Sequence, residues 1–199
     1  DLFLAMAKKA GLATVRTDIK TVPWARGYNS VQTDANTILF PMARTEAREQ
    51  LFKWIGPMYK VQIGLIAPKA KGLKIPDATT AAKYKIGTVR DGAPEQAIIS
   101  AGVPVGVLDR GNDLVSNLKK LQAGRIDLLA FNAVAASFNM ASVGMDPADY
   151  EVVFVLSEPQ LYFAVSKTTP DDTVKALQTA LDALKADGSY TTIVKKFIK

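Results

Sequence analysis

ILFPMARTEAREQLFKWIGP, residues 38–57, packs a strand, a turn and a charged helix into one short stretch. The run Thr37–Phe40 is short and continuously apolar, as a buried parallel strand would be. Pro41 closes it. The segment that follows, RTEAREQLF, has helix composition, with Arg44 and Arg48 in its first turns. Ligands of open α/β sheets sit beyond the carboxyl ends of strands, beside helix N-termini. An arginine placed there can fork onto a carboxylate through two charge-assisted bonds. The same spacing also lets Arg44 and Arg48 pair with Glu46 and Glu49 or face water. Spacing alone leaves both readings open.

The same alternation repeats on either side. Upstream, DLFLAMAKKAG reads as a helix with Leu2, Phe3, Met6 and Ala10 on one side and Gly11 as its stop. Residues 13–22, ATVRTDIKTV, carry Val15, Thr17 and Ile19 at period two and predict a strand. Pro23 opens a short helix with Trp24, Tyr28 and Val31 at i, i+4 and i+7. Downstream, Val61–Ile66 predicts a strand, and the Lys, Gly and Pro of Pro68–Pro76 mark a linker or loop. Strands are expected at Tyr84–Val89, Asp127–Phe131, Val152–Leu156 and Leu161–Val165, and helices at Ala93–Ala101 and Asn112–Ala123. Thr169-Pro170-Asp171-Asp172 has the chemistry of a helix start, with Thr169 as cap, and Leu177, Leu181 and Leu184 form that helix's apolar stripe. A last short helix would use Ile193, Val194 and Phe197. Strands alternating with helices argue for an α/β fold with parallel sheets.

Composition removes most familiar chemistries. The 199 residues contain no cysteine and no histidine. Disulfides, zinc fingers, iron–sulfur clusters and thiol nucleophiles are excluded, and so are Ser-His-Asp triads and HExxH metalloproteases. Asp109, Asp113 and Asp127 lack Ca²⁺-loop spacing, and GTVRDG lacks the lysine and hydroxyl of a Walker loop. No metal or other cofactor is expected. Net charge is +6, but the lysines and arginines are spread along the chain. The densest sets, Lys69, Lys71, Lys74 and Lys195, Lys196, Lys199, do not interleave with aromatics, so no nucleic-acid partner is expected. No apolar run approaches the ~20 residues of a membrane helix.

Residues 38–57 resemble the strand–turn–helix of the bacterial extracellular solute-binding proteins, family 3, which serve amino-acid ABC transporters. PWARGYNSVQ, KIGTVRDGAPEQA, NDLVSNLKKLQAGRIDLLAFN and QLYFAVSK with LKADGSYTTIVKKF are similar to further segments of that family, in the same order. The resemblance implies a two-lobed, periplasmic-binding-protein-like type II fold, each lobe a mostly parallel sheet flanked by helices. The chain would cross twice between lobes, with residues 1–66 and 157–199 in the first lobe and 67–156 in the second. It implies a non-catalytic protein that captures a small carboxylate-bearing solute, an amino acid or related compound, and delivers it to a membrane permease. The location would be periplasmic, or extracellular and membrane-anchored, and the state monomeric. In the family, Thr-x-x-Arg grips the ligand's α-carboxylate, which lands on Arg48 after Thr45. The covering aromatic lands on Trp24, and Phe40 and Pro41 would border the same site. The second lobe would offer the Arg90, Asp91, Gly92 turn and the position of Asn132.

The chain departs from the family pattern at informative places. The hydroxyl that helps hold the carboxylate falls on Ala43. The acid that meets the ligand's ammonium falls on Asn132, which cannot neutralise a buried cation. Gly92-Ala93-Pro94 stands where hydroxyl residues are common. A carboxylate without the ammonium, or a modified amino acid, is therefore expected as readily as a standard L-amino acid. Asn132 also suits a cap for a helix from Ala133. The family's first strand precedes the helix at which this chain starts. That segment is expected to have been cut away or to lie outside the chain, and a neighbouring chain could supply it by strand swapping. The same resemblance admits a ligand-sensing domain of a signalling protein, or a cyclohexadienyl dehydratase-like enzyme with Glu95 and Glu158 as its acids.

Overall fold

A computed structural model describes residues 1–196. The chain divides into two units. The first comprises Asp1–Val22, Arg26–Tyr59 and the chain from Leu161 onward; the second comprises Pro23–Ala25 and Lys60–Gln160. Apart from the short excursion at Pro23–Ala25, the chain passes between units at Tyr59/Lys60 and Gln160/Leu161, whereas the sequence reading placed the divisions at 66/67 and 156/157. The difference arises because Ile63–Pro68 pairs inside the second unit's sheet. The Lys-rich loop that follows is a turn at Lys69–Lys71 within that unit and not a linker between units.

In the first unit, three strands form an antiparallel sheet: β1 (Ile38–Ala43), β2 (Lys53–Ile55) and β8 (Leu161–Val165), in the order β1-β8-β2. The expectation of parallel strands fails here. β1 also runs on through Pro41 with a shift of register between Leu39 and Met42, and it lies at a sheet edge, where proline is tolerated. The charged segment gives only one helical turn, α3 (Glu46–Glu49), before β2 begins, a strand the sequence reading missed. Around the sheet stand α1 (Leu2–Lys9), α2 (Trp24–Thr33) from Arg26 onward, α7 (Asp171–Ala186) and α8 (Ser189–Val194). Met6, Met42, Ile55, Phe163, Leu177 and Leu181 are buried between them.

Residues 13–22 are not a strand; they hold a short turn at Arg16–Asp18. The Asp18 carboxylate accepts the Val15 N–H at 2.9 Å, so a local side chain takes the donor that a neighbouring strand would use. Thr169 does not cap α7. Pro170 holds that position, and the Thr169 hydroxyl meets Ser166 Oγ at 2.9 Å instead. Phe197, assigned by pattern to the last helix, lies outside the described residues.

The second unit has a five-stranded mixed sheet, ordered β5-β4-β6-β3-β7: β3 (Ile63–Pro68), β4 (Ile86–Val89), β5 (Leu108–Gly111), β6 (Leu128–Asn132) and β7 (Tyr150–Ser157). β4 runs parallel to β5 and β6, while β3 is antiparallel to β6 and β7. Alternating residues feed two cores. Leu65, Ala67, Leu128 and Ala130 meet Ile86 and Ile98 on one face. Ile66 and Leu129 meet Leu118, Leu121, Ala136 and Met140 on the other. The face of Ile98 belongs to α4 (Ala93–Ser100), and the opposite face to α5 (Leu114–Gln122) and α6 (Ala133–Met140). A strand covered on both faces reads as a continuous apolar run, which is why LLAF was visible in the sequence.

Gly64 of β3 has no room for a side chain: a Cβ there would lie 2.6 Å from Val152 Cγ1 and 2.8 Å from the Phe154 carbonyl oxygen. Gly64→Ala is expected to destabilise the protein by about 1–3 kcal/mol through overpacking. Gly106→Ala, where nothing lies within 4 Å, should be close to neutral. Urea unfolding of the two variants checks this.

Candidate functional site

In the first unit, Arg48 projects from α3 and is 1% exposed. Its Nη1 donates to the Ala43 carbonyl at 3.3 Å, and its guanidinium carbon stands 5.3 Å from the centre of the Tyr28 ring. Backbone and an aromatic face thus fix the planar group from two sides. Arg44, four residues earlier, pairs with Glu49 through Nε at 2.7 Å and Nη2 at 2.5 Å, and lies over the rings of Trp54 and Tyr162. The two arginines of the stretch are therefore treated differently. One is on the surface with an acidic partner; the other is enclosed. Ala43, at 5% exposed, joins Arg48 through its carbonyl only.

Phe40 and Pro41 lie on β1, upstream of Arg48. They line a cavity of about 200 Å³ with Asp1, Leu2, Phe3 and Phe163, whose walls are mostly apolar. Phe3, Phe40 and Phe163 approach one another there at 5.0–5.8 Å between ring centres.

In the second unit the parallel register of β4 with β5 and β6 brings three carboxyl ends to one sheet edge. Arg90, Asp91 and Gly92 follow β4, and Asn132 ends β6. Arg90 and Asp91 are exposed, and Gly92 is the N-cap of α4. Within this unit the Trp24 indole N–H donates to the Asp91 carbonyl at 3.2 Å. Asn132 Oδ1 accepts the Ala135 N–H at 3.2 Å, so this side chain caps α6.

Two residues at this edge were not identified as a pair from sequence. Glu95, on the first turn of α4, is 2% exposed, and Arg110 on β5 forks onto it at 2.7 and 3.0 Å. The two lie fifteen positions apart on different elements, so no local pattern joins them. Burial raises the Glu95 pKa, but hydrogen bonds from Arg110, Thr88 and the Asp91 N–H, with the charge of Arg110, outweigh it and leave the carboxyl below its ordinary 4.5. Glu158 is also held below its ordinary value, chiefly by its hydrogen bond with Lys60 Nζ at 2.6 Å. Both are kept ionised near neutrality, which is poor chemistry for proton donors. Asp109, Asp113 and Asp127 are each engaged locally, by Lys120, Ser116 and Lys71 respectively. No cluster able to hold a metal ion occurs among the described residues.

Because the folded carboxyl of Glu95 has the lower pKa, the folded state binds fewer protons than the unfolded state. Its stabilisation is complete above about pH 4.5 and is lost as pH falls through the lowered value. Glu95→Gln should reduce the melting temperature at pH 7 and flatten the acid limb below pH 4.5. Thermal melts across pH 2.5–7, a window set on the order of the ordinary carboxyl range, check this.

Comparison with known proteins adds the following. The family model of the bacterial extracellular solute-binding proteins, family 3, matches residues 1–199. Comparison with curated proteins found no match. Among solved structures, a histidine kinase sensor domain similar to periplasmic binding proteins superposes with a TM-score of 0.86 at 16% identity, covering 99% of this chain and 83% of that one. The substrate-binding protein of an amino acid ABC transporter gives 0.81 at 18% identity, covering 100% and 85%. The ancestral amino acid-binding protein AncCDT-1, a precursor of cyclohexadienyl dehydratase, gives 0.80 at 20% identity, covering 100% and 83%. At these identities the likeness shows the fold, which is periplasmic-binding-protein-like.

Proposed function

This chain belongs to the bacterial extracellular solute-binding proteins, family 3, and we propose that it captures a small carboxylate-bearing solute, an amino acid or a close relative, for delivery to an ABC permease. The observation that carries this reading is the family match over the whole chain. Arg48 is the group that receives the carboxylate, because it offers a planar fork already fixed by the Ala43 carbonyl and the Tyr28 ring. Within the second unit, the Arg90–Gly92 turn, Asn132 and Trp24 are the further residues proposed to contact ligand. The site of action is the periplasm, or the outer face of a cell to which the protein is anchored. No helix among the described residues is long and apolar enough to cross a membrane.

Two other readings share the fold. A sensing domain is favoured by the likeness to the kinase sensor domain. Dehydratase chemistry is disfavoured by the ionised state of Glu95 and Glu158.

Thermal-shift screening against amino acids, organic acids and their amides tests the proposal. A true ligand at about 100 times its dissociation constant adds about 2.7 kcal/mol of stability. The shift should follow the carboxylate and should vanish in Arg48→Lys, a variant that keeps the charge but loses the fork. Equal shifts with acids and amides, or an undiminished shift in Arg48→Lys, would remove Arg48 from the site.

A further inference from the structure

Among the described residues, Glu95 is the only buried carboxylate side chain. Four donors meet it. Oε2 accepts from Thr88 Oγ1 at 2.7 Å and from Arg110 Nε at 3.0 Å. Oε1 accepts from Arg110 Nη2 at 2.7 Å and from the Asp91 N–H at 3.0 Å. These donors come from β4, β5 and the turn after β4, so one carboxylate ties three pieces of the carboxyl edge together. Asp91 adopts φ +59°, the left-handed region that residues with a Cβ enter at a cost. Such a conformation persists only where the surroundings hold it, and here the Asp91 N–H is held by Glu95 while its carboxylate lies 3.4 Å from Arg110 Nη2. The next residue has no slack: the Gly92 N–H donates to the Val89 carbonyl at 3.0 Å, and a Cβ on Gly92 would come within 2.9 Å of that same oxygen.

We infer that Glu95 and Arg110 are positioning residues that set the 89–92 turn in its ligand-receiving shape before any ligand is present. This rests on the reading above, in which that turn contacts the solute. An ion pair with a buried carboxylate and a half-buried guanidinium, kept for stability alone, could be replaced by neutral groups at little cost. This one is placed so that its carboxylate also holds a backbone N–H in a strained turn. Pre-organisation of this kind raises affinity by removing the ordering cost from the binding step. The pair thus controls affinity without touching the ligand.

Amide hydrogen exchange followed by NMR on the unliganded protein tests this, using Glu95→Gln, Arg110→Met, the double variant and Leu118→Ala as a core control of the same unit. Glu95→Gln should speed exchange of the Asp91 amide by about tenfold or more, the scale of a lost charge-assisted bond. The double variant should regain melting temperature relative to the singles, while its Asp91 amide stays fast. Any amino acid that stabilises the wild type should bind the double variant about tenfold more weakly. Should Glu95→Gln fail to fold, Arg110→Lys, which keeps the charge without the fork, gives the same reading. Unchanged Asp91 exchange in these variants overturns the inference, as does equal acceleration in Leu118→Ala at equal loss of stability. If no amino acid or organic acid stabilises the wild type, the transport reading fails, while the exchange data still decide whether the pair sets the turn.

Discussion

The first unit exists because residues 161–165 return to it. β1 and β2 make no ladder with each other; each pairs only with β8, which lies between them. The return segment also carries α7, whose Gln178 side chain accepts the Gly56 N–H at 2.8 Å and donates to the Gly56 carbonyl at 3.0 Å. Lys53 reaches the Thr169 carbonyl at 2.7 Å, and Lys185 reaches the Pro57 carbonyl at 2.8 Å. The segment with Arg44 and Arg48 is therefore strung between two strands that a distant piece of chain holds in place. The position of that segment inherits the rigidity of the long-range closure, at the entropic cost of a long loop.

Among the described residues, each unit takes one charged side chain out of water, and they do so differently. Glu95 is answered by four donors, two of them from a guanidinium. Arg48 is enclosed against a backbone carbonyl and an aromatic face. Charges are buried only where something repays their lost hydration. In the second unit the repayment comes from the fold and shapes a turn. In the first, the planar fork of Arg48 is held between the Ala43 carbonyl and the Tyr28 ring.

Much of the fold was legible because burial on both faces writes itself into the chain. LLAF and Ile63–Pro68 are apolar without interruption, and α5 and α7 show their stripes at Leu118, Leu121, Leu177 and Leu181. What escaped depended on partners. Val15, Thr17 and Ile19 have a strand's period, yet Asp18 satisfies the backbone locally. β2 has only three residues and earns its place by pairing with β8, more than a hundred positions away. Strand direction in the first unit followed from the same return and not from any local pattern. The candidate site divides similarly. Arg48 stood out in the sequence through Thr45 and the surrounding stretch, and the structure buries it. The Glu95–Arg110 pair was not, because it joins a helix to a strand across a sheet edge. Asn132 was read both as a pocket residue and as a helix cap, and its side chain caps α6.

The most direct test of the account is a crystal structure with a stabilising solute bound, read for the position of its carboxylate. The account predicts both carboxylate oxygens within about 2.7–2.9 Å of the Arg48 guanidinium nitrogens, the distance of a charge-assisted fork. A solute bound elsewhere, with no oxygen in reach of Arg48, would contradict it.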